Sequence, residues 1–200
     1  MYYIAKNYAS LDGHRQREVY IHQLDKRISV FKYVFDPTLT NVTPFYIDAL
    51  KVGGGEKVLD MACGTGVIGL YAALNGASYV LSADINPHAV ACAQHNARRL
   101  GLDNVVEVRE SDLLSNVPRD DEFDLICANL PLLEGDVRES YEKAIFDPDF
   151  HLYVGLMEGV GDYLREEGRI VIVCSNKRCP SGRNGVECVL DVGRTKYFTS

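Results

Sequence analysis

Val58-Leu59-Asp60-Met61-Ala62-Cys63-Gly64-Thr65-Gly66-Val67-Ile68-Gly69 decides the fold of this chain. The stretch reads as a short buried strand, a tight glycine turn and the first turn of a helix. Asp60 sits at the strand end, four residues before Gly64. A second apolar run, Tyr79-Val80-Leu81, ends at Asp84, eighteen residues after Gly66. A strand–turn–helix presents free backbone N–H groups at a helix N-terminus, which suits an anionic group. The second acid suits a pair of ribose hydroxyls. Together they describe a nucleoside-containing cofactor lying across strand ends.

Outward from this stretch, β and α patterns alternate. Strands are expected over 57–62, 79–84, 105–109, 123–128 and 169–175. Helices are expected over 67–74 and 87–100, the second with Pro87 at its first position and Gly101 just past its end. Leu152, Leu156, Val160 and Leu164 mark a further helix ending near Gly168. Segments 186–192 and 196–199 are expected to close the sheet as an antiparallel pair. Strands separated by helices imply a parallel sheet with right-handed crossovers. On the N-terminal side, Thr43-Pro44 reads as a helix start running to Leu50, with Thr43 as N-cap. Leu24, Ile28 and Phe31 fall at i, i+4 and i+7, so residues 1–42 are expected to form a helical leader or lid. Residues 43–200 form the remainder of a single compact domain.

Gly64-x-Gly66-x-x-Gly69 matches the dinucleotide fingerprint, so a nicotinamide cofactor competes. Against it stand Asp60 on the first strand, the place of that strand near position 60, and above all Phe123-Asp124-Leu125-Ile126-Cys127-Ala128, a strand that ends in Asn129-Leu130-Pro131-Leu132. With these residues the chain resembles the class I S-adenosylmethionine-dependent methyltransferases. Within them it is similar to the small-domain, HemK-like branch that carries Asn-Pro-Pro-Tyr after the fourth strand. The likeness covers roughly residues 35–175, and Asp84-Ile85-Asn86-Pro87 and Ser111-Asp112 extend it. It implies a Rossmann-like α/β fold, a doubly wound seven-stranded sheet of order 3-2-1-4-5-7-6 with the last strand antiparallel.

The resemblance also implies roles. Gly64 and Gly66 let the backbone approach the methionine part of S-adenosylmethionine, and Ala62 stands where the family usually has glycine. Asp60 anchors the loop, through its amides or, by way of water, the cofactor ammonium. Asp84 is the ribose acceptor, followed by Ile85; it also suits an N-cap for the helix at Pro87. Asp112 accepts from the adenine amino group with Leu113 against the ring, or caps a short helix. Asn129 contacts cofactor and acceptor. Its side-chain oxygen and the Leu130 carbonyl accept the N–H groups of a target nitrogen, and Pro131 stiffens the turn. Leu130 and Leu132 replace a proline and an aromatic of the family pattern. Phe45, Tyr46, Phe146, Phe150 and Tyr153 are the aromatics available in compensation.

Composition bounds the remainder. Two hundred residues, 46% hydrophobic and 24% charged, make one ordinary globular domain rather than a disordered chain. A net charge of −7 disfavours nonspecific nucleic-acid binding. Six cysteines without Cys-x-x-Cys spacing read as free thiols, and five histidines lack metal spacing, with His88 and His95 on an outer helix face. Neither a secretory segment nor a membrane-length apolar run occurs in the sequence, so a soluble cytoplasmic protein is expected. The expected activity is N-methylation of an amine or amide on a small molecule, a protein side chain or an RNA base. The missing aromatic and the acidic chain favour a small acceptor, and a protein partner supplying recognition is the other route. O-methylation, another reaction of the same cofactor, and an inactive cofactor-binding scaffold are the competing readings.

Overall fold

The computed structural model describes residues 16–131, 136–137, 140–174 and 188–193. Among the described residues six strands form the main sheet. They are β3 (Lys57–Met61), β4 (Tyr79–Asp84), β5 (Val106–Glu110), β6 (Phe123–Ala128), β7 (Leu164–Cys174) and β8 (Cys188–Gly193), ordered β5-β4-β3-β6-β7-β8. The first five are mutually parallel and β8 runs antiparallel to β7. The helices are α1 (Val42–Ala49), α2 (Val67–Leu74), α3 (Pro87–Arg99) and α4 (His151–Gly159).

The strands look like unbroken apolar runs because both faces of the sheet are covered. Val58, Val80, Leu125 and Val171 face a core shared with Tyr46, Ile47, Leu70 and Ala97 of α1, α2 and α3. Their neighbours Leu59, Leu81, Ile126 and Ile170 face the opposite core, with Leu156 and Val160. The chain order reverses between β3 and β6. The crevice at the C-terminal ends of these two strands is where open α/β sheets bind ligands.

Four expectations are corrected. Among the described residues the seven-strand order 3-2-1-4-5-7-6 is not matched: there the strand beside β7 is the sixth of the sheet. Segment 196–199, the expected partner of 186–192, lies outside the described residues.

The leader is not helical where it is described. β1 (Arg17–Ile21) and β2 (Lys26–Val30) form an antiparallel hairpin. Leu24 and Ile28 do share a core, but Leu24 reaches it from the turn and Ile28 from the inward face of β2. Helix α1 starts at Val42 with Asn41 as N-cap, so Thr43 and Pro44 lie inside its first turn. There the absent N–H of Pro44 costs nothing, since the first amides of a helix have no internal partner. Helix α4 stops at Gly159. A 3-10 turn, Val160–Tyr163, follows, and Leu164 already belongs to β7, paired with Phe123.

Candidate functional site

The C-terminal ends of β3, β4 and β6 bring the sequence-selected residues together. The turn after β3 is built from left-handed backbone: φ is +56° at Ala62, +55° at Gly64 and +80° at Gly66. Ala62 holds that conformation at a cost of roughly 1–2 kcal/mol, which glycine would avoid. The glycines differ in purpose. A Cβ on Gly64 would meet nothing within 4 Å, so the space beside it is open. A Cβ on Gly66 would lie 3.0 Å from the Ala93 Cβ, so this glycine is required by packing against α3. Gly69 abuts the strands: a Cβ there would lie 2.5 Å from Ser82 Oγ and 3.1 Å from Asp60 Oδ2.

Asp60 is 2% exposed, and its Oδ2 accepts from the Gly69 N–H at 2.9 Å. It therefore ties the strand to the first turn of α2. Burial pushes its carboxyl up to about 7 against the pull of that bond, and the nearby Asp84 adds to the rise. Ser82, its register partner on β4, moderates the rise through its dipole. Among the described residues the Ser82 Oγ has no partner in hydrogen-bond geometry.

Asp84 spans two loops. Its Oδ2 accepts from Gly64 N–H at 2.8 Å and its Oδ1 from Asn86 N–H at 2.9 Å. Burial raises this carboxyl too, offset by the amides of Asn86, Gly64 and Ile85. Each oxygen has lone-pair capacity for another donor. Asp84 is not the cap of α3. Asn86 is, its side chain accepting from His88 N–H at 3.0 Å. Ile85 follows with 59% of its surface exposed, an apolar shelf beside the carboxylate. Beyond β5, Asp112 is exposed and opens a 3-10 turn, Leu113–Asn116, its N–H donating to Ser115 Oγ at 3.2 Å. Leu113 is half-buried with φ +46°.

Asn129 leaves β6 one residue past Ala128, which pairs with Met61 at the end of β3. Asn129 is half-buried, the Leu130 side chain is buried in the core, and Pro131 is half-buried. Leu132 lies outside the described residues. Tyr46 fixes this exit. It is fully buried, and its hydroxyl accepts from Ala128 N–H at 2.9 Å and donates to Val171 O at 2.5 Å. Tyr46 is therefore a strut between β6 and β7 and is removed from the aromatics available to stack on an acceptor. Phe45, by contrast, is 44% exposed.

Two buried polar residues stand outside those that the sequence analysis names. Asn96 is fully buried and bonded to both Ser29 and Thr65. Asp147 is also buried, and its carboxylate accepts from Leu152 N–H at 3.1 Å and Tyr153 N–H at 3.3 Å at the start of α4. Asn96 carries no local signal, because its partners are set by tertiary packing, whereas Asp147 bonds amides only five and six residues on, and Asp147-Pro148 is the helix-start signal that marks it. His95 is exposed, as its place on the outer helix face implies, and its ring lies 3.1 Å from Ser29 Oγ and against Phe31. The hairpin packs on α3 at the neighbouring Asn96. Cys63, Cys92 and Cys127 are free and buried, and burial pushes all three thiols up, which removes them as ionised nucleophiles.

A parallel sheet that reverses order beside an acid–glycine turn, with a second acid on the next strand, defines an α/β protein of the Rossmann-like methyltransferase class. The chain belongs to the methyltransferase small domain family, whose model matches residues 35–182. It is 36% identical over 121 residues to a ribosomal protein L11 methyltransferase of Thermotoga neapolitana, covering 58% of this chain and 42% of that protein. The chain thus spans less than half the length of that curated relative. Among solved structures it is similar to a ribosomal protein L11 methylase from Lactobacillus delbrueckii subsp. bulgaricus (TM-score 0.56, 21% identity, 74% of each chain). It is also similar to an S-adenosylmethionine-dependent methyltransferase from Mesorhizobium loti (TM-score 0.50, 25% identity, 68% of this chain and 54% of that one).

S-adenosylmethionine is the cofactor these relationships indicate, and the residues fit it. The open side of Gly64, the spare lone pairs of Asp84 and the exposed Ile85 offer room, hydroxyl acceptors and an apolar face in sequence along one edge. No helix among the described residues is long and apolar enough to cross a membrane.

Proposed function

We propose that this chain methylates a nitrogen atom of a protein acceptor. The observation that carries the reading is the placement of Asn129. It leaves β6 beside the acid–glycine turn, on a backbone tied by Tyr46 to β7 and by the buried Leu130 to the core. S-adenosylmethionine supplies an activated methyl group, so the protein contributes alignment and electrostatics. Asp84 takes the ribose hydroxyls, Ile85 and Leu113 hold the adenine ring, Asp112 accepts from its amino group, and the turn 62–66 receives the methionine part. Asp60 holds that turn in place through α2 rather than by touching the ligand. The Asn129 amide oxygen and the Leu130 carbonyl accept N–H groups of the target nitrogen. They direct its lone pair toward the methyl group and disperse positive charge as it develops. The narrower likeness to the HemK-like branch rests on Asn129-Leu130-Pro131 alone.

Relatives named for a ribosomal protein turn the acceptor from a small molecule toward a protein side chain. The test is transfer of labelled methyl from S-adenosylmethionine to ribosomal protein L11, to total ribosomal protein and to a panel of small amines. Fragmentation of the product locates the methyl. Asn129→Ala should keep cofactor affinity within a few-fold and lower turnover about a hundredfold or more, as for loss of one oriented group at a reacting centre. Full turnover in that variant, or methyl found on oxygen or carbon, refutes the nitrogen assignment.

A further inference from the structure

The N-terminal hairpin and the cofactor turn meet at one buried side chain. Asn96 Nδ2 donates to Thr65 O at 3.0 Å and to Ser29 O at 2.9 Å, and its Oδ1 accepts from Ser29 N–H at 2.8 Å. Ser29 belongs to β2, and Thr65 lies between the two glycines of the turn. A primary amide has two donors and two acceptor lone pairs, so a single Asn can serve both elements. One turn earlier on α3, Ala93 meets Gly66. Further along, the Asn86 side chain donates to Tyr33 O at 2.9 Å while the Asn86 N–H donates to Asp84. The segment before residue 35 is therefore bonded towards both loops that carry the cofactor residues, through α3 on one side and its cap on the other.

We propose that Asn96 is a positioning residue for the S-adenosylmethionine site, coupling the N-terminal hairpin to the turn 64–66. Without the Nδ2 donor, the Thr65 carbonyl loses its bond while buried, and the turn keeps the Asp84 bond at Gly64 but loses the one that orients Thr65. A left-handed turn with glycines at 64 and 66 has many alternative conformations, so bonds from outside it, from Asp84 at Gly64 and from Asn96 at Thr65, select one. The inference rests on the cofactor assignment and not on the identity of the methyl acceptor.

Calorimetric titration with S-adenosylmethionine and with S-adenosylhomocysteine tests it, at a temperature where each protein is fully folded. Asn96→Ala should weaken both ligands at least about tenfold, the effect of losing roughly one buried hydrogen bond. Asn96→Asp keeps an oxygen for Ser29 N–H but lacks the amide donors, and should weaken binding to a similar degree. A folded Asn96→Ala that binds within twofold of wild type overturns the proposal, whatever its melting temperature. If neither variant folds, hydrogen exchange in the wild-type chain decides. Saturating S-adenosylhomocysteine should slow exchange of the Ser29 amide, and an unchanged rate there overturns the coupling. A wild-type chain that binds neither compound fails the cofactor assignment, and the proposal with it.

Discussion

Replacing Asp60 with Asn isolates the electrostatics of the acid–glycine turn. The Asp60 carboxyl is raised from 3.8 to about 7, chiefly by burial. Between those values the native chain keeps a proton that the unfolded chain releases. A rise in pH through this window therefore favours the unfolded state, by about 1.4 kcal/mol per unit. Below the window both states are protonated and the native carboxyl is neutral. Above it both are ionised, and the native state bears the full cost of a buried carboxylate. The gap of about three units corresponds to roughly 4 kcal/mol of stability lost as pH rises from about 4 to about 7.

Asn carries no titrating proton, and its oxygen can still accept from Gly69 N–H. Other groups titrate in both proteins and largely cancel in the difference. Urea unfolding of the two proteins without ligand, at constant ionic strength, measures that difference across the window. The stability of Asp60→Asn relative to wild type should climb by roughly 4 kcal/mol between about pH 4 and about pH 8. A difference that stays flat within about 0.5 kcal/mol, or that falls, would falsify the raised carboxyl and the burial argument behind it.

Asp84→Ala should weaken S-adenosylmethionine binding by roughly 1.5–3 kcal/mol, the size of a lost charge-assisted hydrogen bond. It should also lower ligand-free stability, because Gly64 and Asn86 lose their acceptor; calorimetry showing unchanged affinity removes Asp84 from the ribose. Tyr46→Phe leaves Ala128 N–H and Val171 O without the hydroxyl between them. Chemical denaturation should record a loss of roughly 1–3 kcal/mol, and a neutral result would mean that the two strands close directly. Ala62→Gly relieves a left-handed alanine but loosens the unfolded chain, and should stabilise by roughly 0.5–1 kcal/mol. A drop in melting temperature would contradict the strain at that position.

The amino-acid sequence by itself determined the frame of the candidate site. Strands β3, β4 and β6, helices α2 and α3, and the acids at 60 and 84 were legible because each is a local signal: an apolar run, a glycine turn, or a Pro87 helix start. Such signals depend on backbone conformation over a few residues, which neighbours in sequence largely dictate. The hairpin 17–30 is masked in the sequence because Leu24, Ile28 and Phe31 fall at helical spacing, while the alternation in Arg17-Glu18-Val19-Tyr20-Ile21 and Lys26-Arg27-Ile28-Ser29-Val30 carries the true period of two. Only the tertiary structure could decide what Tyr46 and Asn96 do. Their partners lie 125 and 67 residues away in the chain. A buried hydroxyl or amide must find whatever polar group packing brings beside it, and no local pattern encodes that choice. The same holds for Asp60, whose carboxyl is set less by its identity as an acid than by two layers of helix and sheet that exclude water from it.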